Sequence, residues 1–449
     1  MRKIHPAIQI VGPVALLLSA CNAGPALPPN QGYGANPTLP APKKQALPVM
    51  KVAPAVGWAD GQTPDAAPGF VVTALARGFD HPRWLYVLPN GDVLVAETNN
   101  PPKPEDSKGI KGWVEKIIMK RAGATPPSAN RITLVRDVNN DGVSEIRTTF
   151  LAHLNSPFGM VLVGDTFYVA DSDAVLAFPY QTGQTQITAA PRKIADLPAG
   201  PINHHWTKNV IASPDGSKLY VTVGSNSNVG ENGMAAEERR AGILEIDPAT
   251  GASRVFASGI RNPNGMGWQP QSGKLWASVN ERDEIGNDLV PDYMTSVKDG
   301  GFYGWPYSYY GQTVDARVKP QRPDLVAKAI KPDYALGAHT ASLGLTFYDA
   351  DAFPARYKGG AFVGQHGSWN RKPVNGYRVA FVPFAGGMPS GPAEPFLVGF
   401  LNAKGEALGR PVGVAVDKFG ALLVADDVGN VVWRVAATAP ATPVAKAAP

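Results

Sequence analysis

The chain has 449 residues, of which 44% are hydrophobic and 18% charged, with a net charge of +5. The apolar share supports a large core, and the scattered basic residues form no stripe interleaved with aromatics, which excludes nucleic acid as a partner. Pro (43) and Gly (48) make up about a fifth of the sequence, a composition suited to many short strands joined by turns.

Residues 1–21 read as an export signal: Arg2 and Lys3 are the positive end, Ile8 to Leu18 the apolar stretch, and Leu18-Ser19-Ala20-Cys21 the cleavage site. The apolar run is shorter than the ~20 residues of a membrane span. A small-residue site ending in Cys is similar to the bacterial lipoprotein box, in which Cys21 is acylated; an ordinary signal peptide with an incidental Cys is the alternative. Cys21 is the sole cysteine, so the rest of the chain has no disulfide to form in an oxidising periplasm. Residues 22–66 are rich in Pro, Ala, Gly and Asn without periodicity and are expected to be a semi-extended tether. Residues 437–449 are expected to be a flexible tail.

The body between them, 67–436, repeats one phrase. A polar or Pro-containing start leads into a short apolar strand, a Gly-containing turn, and a second strand ending in a polar residue. Copies fall at 81–97, 156–171, 205–224, 262–280, 342–367 and 410–426. Their alternation and spacing predict an all-β, six-bladed β-propeller with long inserted loops, among them 100–132 and 307–336. Asn90-Gly91, Asp215-Gly216 and Phe419-Gly420 supply hairpin corners, and Phe70–Leu75 is expected to close the ring beside Val431–Val435. A β-sandwich or two smaller β-domains would not need six copies of one phrase.

In a propeller, each copy's start and its second strand's end share one face around the central channel. That gathers His81, Arg83, Glu97, Asn155, Asp171, His204, His205, Arg261, Asn262, Asn264, Glu281, His366, Arg410 and Asp426. Of the His204-His205 pair at most one faces the channel, because neighbours on an extended chain point oppositely. Imidazole suits a general base near neutral pH, and arginines opposite it suit carboxylates and developing oxyanions. The loop Glu281–Asp292 offers oxygens to a hard cation such as Ca²⁺. So does the stretch with Asp137, Asn139 and Asp141, where Gly142 stands at the turning position of an EF-hand loop. Thr148 stands where that loop requires its last Glu, so a complete EF-hand is excluded; a structural Ca²⁺ and a plain Asx-rich turn are both open. No Gly-x-Gly-x-x-Gly follows a strand and no Gly-x-Ser-x-Gly elbow is present, so neither a Rossmann nicotinamide site nor a serine hydrolase is supported.

Five segments resemble the soluble-type quinoprotein sugar dehydrogenases, with the L-sorbosone dehydrogenase branch nearest. They are HHWTKNVIASPDG, GIRNPNGMGW, NERDEIGNDLVPDY, DGGFYGWPYSYYG and GQHGSWNR, in family order. The resemblance covers most of 70–435 and implies a six-bladed propeller using pyrroloquinoline quinone (PQQ) and Ca²⁺. It implies His205, with His204 as alternative, as the base that takes the C1 hydroxyl proton of an aldose or aldehyde hydrate. Arg261, Asn262 and Asn264 match a motif that contacts cofactor and substrate, although the family often has Gln where Asn264 stands. Asn280 and Glu281 match positions whose carbonyls hold the active-site Ca²⁺, and Asp288 an acidic ligand of a structural calcium nearby. Arg410 matches an arginine on a cofactor carboxylate, and Arg371 is the nearest candidate for a basic residue after the fifth repeat. Implied partners are a sugar, a membrane quinone or other electron acceptor, and the periplasmic face of a membrane through the lipid. A Ca²⁺-dependent lactonase and a non-catalytic glycan- or protein-binding propeller are the competing functions, and a lactonase has little use for two inward arginines.

Overall fold

The computed structural model describes residues 26–28, 31–43, 51–102, 117 and 119–438, so the export signal, Cys21 and nearly all of the tail lie outside the described residues. Within them the chain is a six-bladed β-propeller. Each predicted phrase is the inner hairpin of one blade: Pro82–Val87 with Val93–Glu97, Met160–Val163 with Thr166–Ala170, Val210–Ala212 with Leu219–Val223, Asn262–Trp268 with Leu275–Asn280, Ser342–Phe347 with Ala361–Gln365, and Pro411–Val416 with Leu422–Asp426. The register places the phrase's two ends side by side, as in Pro82 opposite Glu97, Asn262 opposite Asn280, and Pro411 opposite Asp426. The sixth blade takes its outer strand, Phe70–Arg77, from the other end of the chain, paired with Val431–Ala437. Ring closure therefore joins both ends of the sheet array and leaves no long open edge.

The repeated phrase has a steric reason. Gly159, Gly265, Gly344 and Gly413 stand at one position of their inner strands, and a Cβ there would strike backbone of the next blade's inner strand at Val210, Leu345, Val412 and Arg83 respectively. Bare backbone lets neighbouring blades approach closely around the channel. Between blades the wedge is filled by apolar clusters, such as Tyr348, Phe353, Tyr357, Phe362, Phe381 and Phe396 with Phe70. Gly344→Ala is expected to destabilise the propeller by about 3 kcal/mol, since two backbones must separate to admit one methyl. A fall in denaturant midpoint at unchanged m-value measures it.

The expected tether is corrected by the described parts of 22–66. Tyr33–Gly34 adds a strand to the outer edge of the fourth blade, and Asp65–Ala66 adds one to the fifth. Ala53 is buried, and the Trp58 indole packs edge-on against Phe400 and Trp433 while donating to Asp426 Oδ2 at 2.7 Å. Composition suggested a spacer, but apolar residues at wide intervals suffice to hold an extended chain against exposed sheet edges and loops. At the other end Ala437 still belongs to a strand. Among the described residues, no helix is long and apolar enough to cross a membrane.

Candidate functional site

A cavity of about 140 Å³ opens among the loops of blades three, four and five, lined by His205, Arg261, Asn262, Asn280, Glu281, Asp283, Asp292, His339, Ser368, Trp369 and Asn370. His205 comes from the loop before the third inner strand. Its Nδ1 meets the Ser225 carbonyl at 2.8 Å and the Ser225 hydroxyl at 3.0 Å. Donation from Nδ1 to the carbonyl fixes the tautomer and leaves Nε2 an acceptor without a partner among the described residues. Burial, followed by the Arg261 guanidinium, holds this imidazole well below its usual pKa, so it is unprotonated at neutral pH. Gly224 has no side chain for a local reason: a Cβ there would press on both His205 and Asn262.

Arg261, at the start of the fourth blade, is held by Asn228 and by the Glu281 carbonyl, to which Nη1 donates at 2.7 Å. Its nearest carboxylate is Asp283, at 3.6 Å. Asp283 in turn meets His339 Nδ1 at 3.1 Å and accepts from Asn370 Nδ2 at 2.7 Å. His339 Nε2 faces the Gly286 carbonyl at 3.1 Å. Two acceptors flank one ring, and only an imidazolium satisfies both. Despite burial, these partners raise the His339 pKa, while Asp283 is held down to about 2 by His339, Arg261 and Asn370 against its own burial. Asp292 accepts from the Glu281 amide, the Thr340 hydroxyl and the Ser342 amide, but burial still lifts it to about 6. The Asn262 and Asn370 amide oxygens are buried without a hydrogen-bond partner among the described residues.

Several expected site residues lie elsewhere. Arg371 and Asp288 pair with one another at 2.7 Å, and neither lines the cavity. Asn264 accepts from the Thr207 hydroxyl at 2.9 Å and braces blade three to blade four behind the cavity wall. Asn280 lines the cavity, with its amide donating to the Ser342 carbonyl, and the Glu281 carbonyl is already shared with Arg261. Arg410 sits behind the Gly367–Ser368 turn, not in the cavity. It is buried over the Tyr377 ring, with acceptors only at 3.4–3.5 Å and its Nε unpartnered. The exposed His204 is not a cavity residue. Asp137 and Asp141 converge with Glu145 in a loop of the first blade, between Arg131–Arg136 and Ile146–Leu151, where Asn139 and backbone amides also bind the carboxylates.

A second charged group lies between blades five, six and one. Asp427 takes Arg83 Nη1 at 2.6 Å and His366 Nε2 at 2.9 Å, and its carbonyl meets His81 Nδ1 at 3.1 Å. These partners hold its pKa far below the usual carboxylate range, and burial pushes His81 down to about 4. Spacing placed Asp426 in the funnel, but that carboxylate is turned to the indoles of Trp58 and Trp433 and to backbone amides. Its neighbour Asp427 does the ionic work. His339 and Trp369 were also not anticipated; only the motif around Trp369 carried a signal, whereas His339 stands alone in a loop.

Behind His205, Lys208 is fully buried and has no ion-pair carboxylate among the described residues. Its ammonium donates to the carbonyls of Trp206 (3.2 Å) and His205 (3.5 Å), and burial lowers its pKa to about 7. Lys208→Met is expected to lower turnover about ten-fold by freeing that loop. Thermal stability should hold or rise, because a desolvated unpaired charge is removed. Turnover and Tm measured together test this.

The closed six-bladed ring thus carries a neutral imidazole, an arginine and the carboxylates Asp283 and Asp292 around one polar cavity. The family profile described as Glucose / Sorbosone dehydrogenase matches residues 169–368, and one described as TrAA12-like matches 317–438. An uncharacterized protein of Borreliella burgdorferi is 30% identical over 376 residues, covering 82% of this chain and 94% of that protein. The Pyrroloquinoline quinone-dependent pyranose dehydrogenase of Coprinopsis cinerea is 23% identical over 363 residues, covering 71% of this chain and 44% of that protein. The solved PQQ domain of the pyranose dehydrogenase from Coprinopsis cinerea superposes with a TM-score of 0.67 at 20% identity, over 86% of this chain and 100% of that one. The chain belongs to the glucose/sorbosone dehydrogenase family.

Proposed function

We propose that this protein is a PQQ-dependent dehydrogenase that oxidises an aldose or sugar aldehyde at C1, with L-sorbosone giving 2-keto-L-gulonate as the reaction the resemblance favours. The observation that carries it is His205: neutral, tautomer fixed by Ser225, with Nε2 unpartnered in a cavity beside Arg261. Family membership and the sugar dehydrogenase activities of its relatives support the redox chemistry.

The residues fit such a cofactor. Buried polar atoms without partners, Asn262 Oδ1, Asn370 Oδ1 and Arg410 Nε, surround the cavity and the turn behind it. Arg261 and the imidazolium of His339 offer cationic character to a polycarboxylate. When bound, PQQ supplies a quinone that accepts hydride from C1. The chain's part is to place the sugar C1 hydroxyl against His205 Nε2, which takes the proton, and to exclude bulk water. Ca²⁺ is assigned to oxygens at the same mouth, from Asn280 and Glu281, where Arg261 already shares one carbonyl. A structural Ca²⁺ on Asp137, Asn139 and Asp141 belongs to the same reading. Lipidation of Cys21 would hold the chain at a periplasmic membrane face, within reach of a membrane quinone as electron acceptor; a Cys21→Ser chain should no longer incorporate labelled palmitate.

Apo-protein incubated with PQQ and Ca²⁺ and then desalted should retain quinone absorbance and reduce a dye with aldoses or L-sorbosone. Loss of the absorbance on desalting together with no dye reduction by either sugar would remove this function.

A further inference from the structure

The N-terminal segment does more than cover sheet edges. Residues 51–58 run across the cavity face of blades five, six and one. The Lys51 amide donates to the Trp369 carbonyl (2.9 Å), the Ala55 amide to Arg121 (2.8 Å), and the Val56 amide to Ala407 (2.8 Å), while Ala407 donates back to Pro54 (2.7 Å). Trp369 is itself a cavity residue, and the Ala53 carbonyl faces the Arg410 guanidinium. The segment is pinned at its end by Trp58. Its indole N–H reaches Asp426 Oδ2 at 2.7 Å, and the other oxygen of that carboxylate accepts the Arg410 amide at 2.7 Å and the Gly429 amide at 2.8 Å. One buried carboxylate thus ties the docking of the segment to the backbone of Arg410.

We propose that Trp58 is a positioning residue for Arg410, so that residues 51–58 are part of the ligand-binding unit rather than a spacer leading to it. Arg410 is the buried guanidinium with the poorest protein partners around this site: two carbonyls at the limit of hydrogen bonding, an aromatic face, and a bare Nε. A buried cation so poorly satisfied carries an uncompensated desolvation cost, which an anionic group reaching its unused donors from beyond the Gly367–Ser368 turn would offset. Fixing it needs its backbone fixed, which is what Asp426 does. Asp426 keeps its geometry only if all four donors converge on it, and Trp58 supplies one of them from outside the ring.

This rests on the proposed function for the identity of the anion, a carboxylate of PQQ, and the test separates the two. Trp58→Phe keeps an aromatic ring between Phe400 and Trp433 but removes the donor to Asp426. Equilibrium dialysis of PQQ against the full chain in Ca²⁺ should give a dissociation constant about ten-fold higher for Trp58→Phe, with turnover at saturating PQQ unchanged. Hydrogen exchange in the apo-chain should show the Arg410 and Gly429 amides exchanging at least ten-fold faster in the variant. Equal PQQ affinity in both chains, or an affinity loss accompanied by an equal loss of turnover at saturation, overturns the proposal. If the unaltered chain binds no PQQ, the proposed function falls, and the exchange experiment alone decides: unchanged protection of the two amides then sinks the positioning role as well.

Discussion

His205→Ala is expected to retain PQQ and to lose turnover by at least ~100-fold, the lower range for removal of a general base. The variant deletes a ring whose Nδ1 is committed to Ser225 and whose Nε2 has no hydrogen-bond partner among the described residues. The loss should therefore fall on the chemical step. Dialysis for cofactor and steady-state kinetics for turnover separate the two, and a parallel loss of both would make His205 a structural residue. The same residue fixes the pH profile. Its pKa is depressed from 6.5, so the active, neutral form persists below that value as pH falls, and the acid limb of kcat/KM should lie under pH 6.5. A limb at or above 6.5 would mean that an anion beside the ring has outweighed its burial.

The ring was legible because its cause is periodic. The close approach of neighbouring inner strands imposes glycine or another fixed residue at one point of each blade, and that point recurs in the chain as SPFG, NPNG, SLG and PVG. His205, Arg261 and Asn262 were legible because they sit at the phrase's start, where topology alone sends them to the channel mouth. What was not legible depends on which of two neighbours turns inward. Asp426 and Asp427 are adjacent, and only three-dimensional partners show that the first serves indoles and amides while the second holds Arg83 and His366. Arg371 and Asp288, 83 positions apart, neutralise one another, which no spacing rule reports. The segment 51–66 misled for a related reason: its anchors are single residues separated by turn-formers, so it has no period, yet the propeller supplies the partners it lacks.

The second large effect is expected at Asp283. Asp283→Asn should cost about 3 kcal/mol of stability near pH 5.5, the lower range for breaking a buried ion pair. The pair with His339 is not fully shielded, since 18% of the Asp283 side chain is exposed against 4% for His339. The variant leaves Arg261 without its nearest carboxylate and His339 without the partner that keeps it charged. The sign of the pH dependence follows from both groups. Asp283 has its folded pKa lowered from 3.8 to about 2, so its contribution is complete above 3.8 and fades as pH falls toward about 2. His339 has its pKa raised from 6.5, so its contribution is complete below 6.5 and fades as pH climbs through the raised value. The two overlap fully between about pH 4 and 6.5, and that is where the wild-type and Asp283→Asn melting curves should differ most. As pH climbs through the raised His339 pKa the imidazolium is lost, it no longer needs its carboxylate, and the gap should narrow. A Tm difference that stays constant from pH 5 to 9 would show that His339 is not held as the cation its two acceptors call for, and the cationic wall assigned to the cavity would lose one of its members.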